Sequence, residues 1–164
     1  MEEQFLRTAM LLGQEAVQRL QKARVAVFGL GGVGGYVVEA LARGGVGQLD
    51  LIDSDTIGLS NLNRQLLATR STLGMAKVEA GRQRVLDINP DCIVRTYPVF
   101  YTPETADSFD FRDYDYIVDA IDTGTGKLAL VERAAAAGTP IICCMGTGNK
   151  LDPSAFRVED ISRT

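Results

Sequence analysis

Short runs of apolar residues alternate along this chain with longer stretches in which apolar positions recur every three or four residues. Residues 2–12 and 14–22 follow the helical period and read as two amphipathic helices. Five runs are short and nearly continuous in apolar residues, at 24–28, 48–52, 92–97, 114–120 and 140–145, and these read as buried strands. Between them, 33–43 reads as a helix closed by Gly44 and Gly45, and 74–88 as a helix that stops before Pro90. A further helix is expected at about 125–137, and residues 54–63 form a polar loop. Strand, helix and strand in repeated succession, with the strands apolar throughout, mean a parallel sheet covered on both faces. The expected fold is therefore α/β and Rossmann-like, preceded by an N-terminal helical arm. The tail from Asp152 to Thr164 looks like the start of another element and carries no stop, so residues 1–164 read as one domain cut short at its C-terminus.

The first strand runs straight into Gly29-Leu-Gly-Gly-Val-Gly-Gly35, and a helix follows. Glycine lets the backbone turn sharply and lets a phosphate oxygen reach the amides with no Cβ in the way. The helix start behind the loop supplies unpaired N–H groups and a partial positive charge. Asp53 ends the second strand, where a carboxylate can accept hydrogen bonds from a ribose diol. Five glycines in seven residues exceed what a tight turn alone requires. A nucleotide is the expected ligand, but these features do not separate NAD from ATP.

Composition narrows the chemistry. The chain has no histidine, so a mechanism that needs an imidazole base within it is excluded. Three cysteines, Cys92, Cys143 and Cys144, lack C-x-x-C spacing and speak against a zinc site or a disulfide framework. Cys143 and Cys144 lie in an apolar run and read as small core residues. A net charge of −4 gives nucleic-acid binding no bulk support. No signal pattern or membrane-length apolar run is present, and the default expectation is a cytoplasmic address.

Against that acidic balance, residues 61–84 carry Arg64, Arg70, Lys77, Arg82 and Arg84 with Glu79 as the sole acid. Arg64 and Lys77 flank the polar loop and suit phosphate clamping, whereas Arg70, Arg82 and Arg84 fit a solvated helix face equally well. The fourth strand ends in Asp119-Ala-Ile-Asp122. Carboxyl ends of parallel strands line the ligand crevice, so Asp122 could hold Mg²⁺ against phosphates. Asp119 is as well suited to capping the next helix as to binding.

Taken in order, Gly29-x-Gly31-Gly32-x-Gly34, Asp53-x-Asp55, Ser60-Asn61-Leu-Asn-Arg64-Gln65, Gly74-x-Ala-Lys77 and Asp119-x-x-Asp122 resemble the adenylation core of the ThiF/MoeB superfamily. The resemblance runs from about residue 4 to the end. It implies that the glycine loop, Asp53, Asp55, Asn61 and Gln65 hold ATP, that Arg64 and Lys77 contact its phosphates, and that Asp122 binds Mg²⁺. It also gives a role to Arg7, which composition and spacing would not pick out: reaching into a partner subunit's site in a homodimer. Gly35 departs from relatives that have Ser or Cys there. The stretch from Gly146 to Ser154, followed by Val158 to Ser162, is similar to the tRNA threonylcarbamoyladenosine dehydratase branch. Chains of that branch normally continue well past this end.

The implied chemistry is attack of a substrate carboxylate on the α-phosphorus of ATP. A carboxylate is already an anion at neutral pH, so the missing histidine is no obstacle. In the dehydratase branch the carboxylate belongs to a modified adenosine of tRNA. The alternative is the C-terminus of a ubiquitin-like sulfur-carrier protein, with such a carrier or a cysteine desulfurase as partner. An NAD-binding oxidoreductase would leave Arg64, Lys77 and Asp122 unexplained. A nucleotide-sensing module without catalysis would bind ATP and release no pyrophosphate.

Overall fold

The computed structural model describes residues 3–163. Glu2, at the head of the first expected helix, and Thr164, at the end of the tail, lie outside the described residues. The strands are β1 (Arg24–Phe28), β2 (Gln48–Ile52), β3 (Ile93–Tyr97), β4 (Tyr116–Asp119) and β5 (Ile141–Cys143). They form one parallel sheet in the order β3-β2-β1-β4-β5. The helices are α1 (Leu6–Leu12), α2 (Gln14–Lys22), α3 (Gly34–Gly44), α4 (Lys77–Ile88) and α5 (Gly124–Ala137).

Alternation along the strands sorts side chains onto two faces. Val25, Val27, Leu49, Leu51 and Val118 point to one side, where Val38 and Ala42 of α3 and Val78 and Val85 of α4 cover them. Ala26, Phe28, Ile52 and Ile117 point to the other, against Leu130 and Ala134 of α5 and the rings of Tyr101, Phe109 and Phe111. The second face also buries Asp50 completely. Its carboxylate is satisfied by Arg24 Nη2 at 2.7 Å and by the hydroxyls of Tyr97 and Tyr114, each at 3.2 Å. A buried charge without such partners would be costly. The N-terminal arm docks through Phe5 and Val17, which are both buried, and the Gly47 amide donates to the Leu20 carbonyl at the end of α2.

Several boundaries differ from the sequence expectation, and three of the shifts have a plain physical cause. Helix α4 starts at Lys77, not at 74, because Gly74 has φ +81° and Ala76 is held extended by an antiparallel bridge to Thr56. Strand β4 starts at Tyr116, because Phe111–Asp113 forms a 3₁₀ turn that Tyr114 closes. Strand β5 is a three-residue edge strand: Pro140 has no N–H to give, although its carbonyl accepts from Ile117. Among the described residues no helix is long and apolar enough to cross a membrane.

Candidate active site

The carboxyl ends of β1, β2 and β4 open into a cleft of about 590 Å³. In this strand order β1 sits between β2 and β4, so the chain leaves β1 on one side of the sheet and returns on the other. Such a reversal point leaves a crevice beyond the strand ends.

The glycine loop forms its floor. Gly29 has φ +89°, and a Cβ there would lie 2.6 Å from the Ala120 carbonyl oxygen, so only glycine fits where the loop crosses the end of β4. Gly29, Gly31 and Gly32 line the cleft. Gly34, expected as a binding glycine, does not line it. A Cβ on Gly34 would stand 1.8 Å from the Gly29 carbonyl oxygen, so this residue is the packing point of α3 against the loop.

Asp53 ties the loop to the segment after β2. One carboxylate oxygen accepts the Leu30 N–H at 2.7 Å and the other accepts the Asp55 N–H at 2.8 Å. Lys77 is buried, and its ammonium donates to Asp55 at 2.7 Å and lies 3.6 Å from Asp53. The first residue of α4 thereby delivers its charge into the cleft. Arg64 lines the cleft from the opposite loop, is exposed, and donates to the Ser60 carbonyl at 3.2 Å and to Asn63 Oδ1 at 2.9 Å. Asn61 and Gln65 line the cleft as well, with Asn61 Oδ1 closing its own turn on the Gly58 N–H at 2.8 Å.

Asp122 lies on the loop after β4, exposed and lining the cleft. Among the described residues it has neither a hydrogen-bond nor an ion-pair partner. Asp119, which sequence left between two roles, is completely buried and paired with Lys127 at 3.0 Å, so it belongs to the frame of the site. Arg7 is exposed on α1 and is not among the cleft-lining residues. Of the other basic residues, Arg84 binds Glu39 at 2.7 and 2.8 Å and links α4 to α3, while Arg82 lies 3.6 Å from Glu79.

Several cleft residues stand outside the nucleotide-binding motifs and were missed as site residues: Val99, Phe100 and Tyr101 after β3, Lys127 on α5, and Cys144 to Thr147 after β5. Their one signal in the sequence is position, since they follow strand ends or open the helix behind one. The two neighbouring cysteines are half-buried, not core, and Cys144 faces the cleft. Burial, aided by the Asp119 carboxylate, pushes the Cys143 thiol up to about 12. Burial raises Cys144 as well. At neutral pH both stay protonated and are poor nucleophiles. No group of three or more metal-ligating side chains occurs among the described residues.

The fold and this site define a class: an α/β domain whose parallel strands end in a cleft with a glycine loop facing two basic side chains. The chain belongs to the ThiF family, whose model matches residues 5–160. It is 44% identical over 161 residues to the tRNA threonylcarbamoyladenosine dehydratase of Bacillus subtilis, covering 98% of this chain and 63% of that protein. The Haemophilus influenzae protein of the same name is 40% identical over 163 residues, with 99% and 62% covered. The crystal structure of the Escherichia coli tRNA N6-threonylcarbamoyladenosine dehydratase in complex with ATP superposes with a TM-score of 0.95 at 38% identity. That match covers 99% of this chain and 67% of the other. The chain thus spans a little over three-fifths of the length of these curated relatives.

Proposed function

We propose that this chain is the nucleotide-handling core of an ATP-dependent enzyme that adenylates a carboxylate, with N6-threonylcarbamoyladenosine in tRNA as the substrate. One observation carries the reading. Gly29, Gly31, Gly32, Asp53, Arg64, Lys77 and Asp122 come from five separated stretches of sequence and converge on one cleft. The relatives' names and the ATP complex supply the substrate class.

ATP is consumed, with its phosphates over the glycine loop and its ribose toward Asp53. The substrate carboxylate attacks the α-phosphorus, forming an acyl-adenylate and expelling pyrophosphate. Charge builds on the bridging and terminal oxygens, and Arg64 and Lys77 are the cleft cations that can neutralise it. Lys77 is suited to this because it is already desolvated and held by Asp55. No general base is required at the attacking group. A nucleophile of the same substrate molecule then attacks the activated carbonyl and AMP leaves with the carboxylate oxygen, so that the substrate has lost the elements of water overall. Burial, which raises both the Cys143 and Cys144 thiols, favours that intramolecular route over a thioester.

Asp122 fits a magnesium ligand, since it is the one cleft carboxylate with no other partner among the described residues, and Mg²⁺ takes one or two carboxylates beside phosphate oxygens. The ion would supply neutralisation of phosphate charge. Homodimerisation, with Arg7 completing the neighbouring subunit's site, and a cytoplasmic location complete the reading.

Calorimetry on the wild type and Arg64→Ala tests it. Magnesium-ATP is expected to bind with NAD silent, and Arg64→Ala is expected to lose about tenfold or more in affinity or in pyrophosphate release. NAD binding with ATP silent would overturn the assignment of Arg64, Lys77 and Asp122.

A further inference from the structure

Lys127 lines the cleft, and a free ammonium there would be an obvious phosphate ligand. Its hydrogen bonds show otherwise. The Nζ atom donates to Asp119 Oδ1 at 3.0 Å, to Asp119 Oδ2 at 3.1 Å and to the Cys144 carbonyl at 2.8 Å. A lysine has three N–H donors, and these contacts use all of them. Its side chain is only 14% exposed, and its partner Asp119 is fully buried.

The contacts join three elements at one point. Asp119 is the last residue of β4, Cys144 follows the last residue of β5, and Lys127 stands in the first turn of α5, where its own N–H donates to the Thr123 carbonyl. Cys144 is gripped on both sides: its N–H donates to the Asp119 carbonyl at 2.8 Å and its carbonyl accepts from Lys127. Beyond it, Met145 to Thr147 leave the sheet as cleft wall, while Ile121 to Thr123 leave β4 as the neighbouring wall. The Ile121 N–H is held by Asp119 Oδ1 at 3.2 Å, so the loop bearing Asp122 starts from the same carboxylate.

We propose that Lys127 is a positioning residue: by joining the Asp119 carboxylate to the Cys144 carbonyl, it fixes the two adjoining wall segments and so holds Asp122 in place. Its catalytic consequence rests on the adenylation reading above. Its structural consequence does not.

The test compares the wild type with Lys127→Met, Lys127→Arg and the double variant Asp119→Asn/Lys127→Met. Amide hydrogen exchange without nucleotide comes first. In Lys127→Met the amides of Cys144, Ala120 and Ile121 are expected to exchange about tenfold faster or more, with β1 to β3 unchanged. Wild-type exchange at these amides overturns the proposal. Should the buried, unpaired Asp119 prevent Lys127→Met from folding, the double variant removes that charge. It is expected to fold and still exchange fast at Cys144, and slow exchange there is again fatal. Pyrophosphate release against magnesium concentration follows. The half-saturating concentration is expected to rise about tenfold or more, the size usual for a lost partner behind a metal ligand, with a smaller change in KM for ATP. Lys127→Arg should recover part of this, because a guanidinium can still bridge a carboxylate and a carbonyl. A lower Tm with unchanged magnesium dependence reduces Lys127 to a stability role and overturns the positioning claim. If the wild type itself releases no pyrophosphate, the adenylation reading fails, and the exchange data alone decide on Lys127.

Discussion

At the scale of single residues, the glycine loop shows how one motif divides into separate tasks. A Cβ added to Gly32 would meet nothing nearer than 3.7 Å, whereas one added to Gly34 would stand 1.8 Å from a main-chain oxygen. Gly34→Ala is therefore expected to cost about 3 kcal/mol or more of stability, since α3 and the loop must part to admit the methyl group. Gly32→Ala should stay within about 0.5 kcal/mol of wild type while weakening ATP binding. Urea unfolding of both variants checks the first statement, and a large loss for Gly32→Ala would contradict this division. Sequence found both glycines but put both in the binding group, because spacing records a loop and not which Cβ meets a neighbour. The cleft positions of Arg64 and Lys77 were legible from the basic stretch beside the polar loop, and that of Asp122 from its place just past a strand end. Lys127 was not, since it is one polar residue on an ordinary helix and its meaning depends on Cys144, seventeen positions later.

At the scale of elements, the strands and helices follow from the apolar pattern, and the errors fall where tertiary contacts set the ends. Helix α4 is the instructive case. Its period extends back toward residue 74, but the Thr56–Ala76 bridge delays its start to Lys77 and so puts that lysine at the mouth of the cleft. The pairing of α4 with α3 depends on Glu39, which accepts from Arg84 and, on its own helix, from Arg43. The Arg84 hydrogen bonds hold the Glu39 carboxyl below its ordinary 4.5, opposed by partial burial. A depressed folded-state value means stability that is present above the unfolded value and lost as pH falls through the folded one. Wild-type stability should accordingly drop below about pH 4.5 in part through Glu39. Glu39→Gln is expected to lose on the order of 1 kcal/mol near neutrality and to show a shallower acid decline. Urea midpoints between neutrality and strongly acid pH would reveal the difference, and parallel curves would rule out this ion pair as a contributor.

At the scale of the whole molecule, the N-terminal arm has apolar side chains turned to solvent. Met10 is 85% and Leu11 84% exposed on the helix that carries Arg7. That arrangement suits a helix that meets a second copy of the chain. On the dimer proposed above, mixing Arg7→Ala subunits with Asp122→Ala subunits is expected to restore about a quarter to a half of wild-type pyrophosphate release, because each mixed dimer would hold one site with both groups intact. No recovery above the separate variants would mean that Arg7 does not act across subunits. The sheet order also bears on how the molecule is made. Strand β1 pairs with β2, which begins twenty-four positions later, and with β4, whose paired residues lie about ninety positions away. Short-range pairing is fast and long-range pairing is slow. The half holding β1, β2, β3, α3 and α4 can thus assemble while β4 and β5 are still searching. The cleft lies across the seam between the halves, so it is expected to be completed last. Ligand capture then marks molecules that have finished folding, and a ligand present early gives no help to the slow step but traps its product.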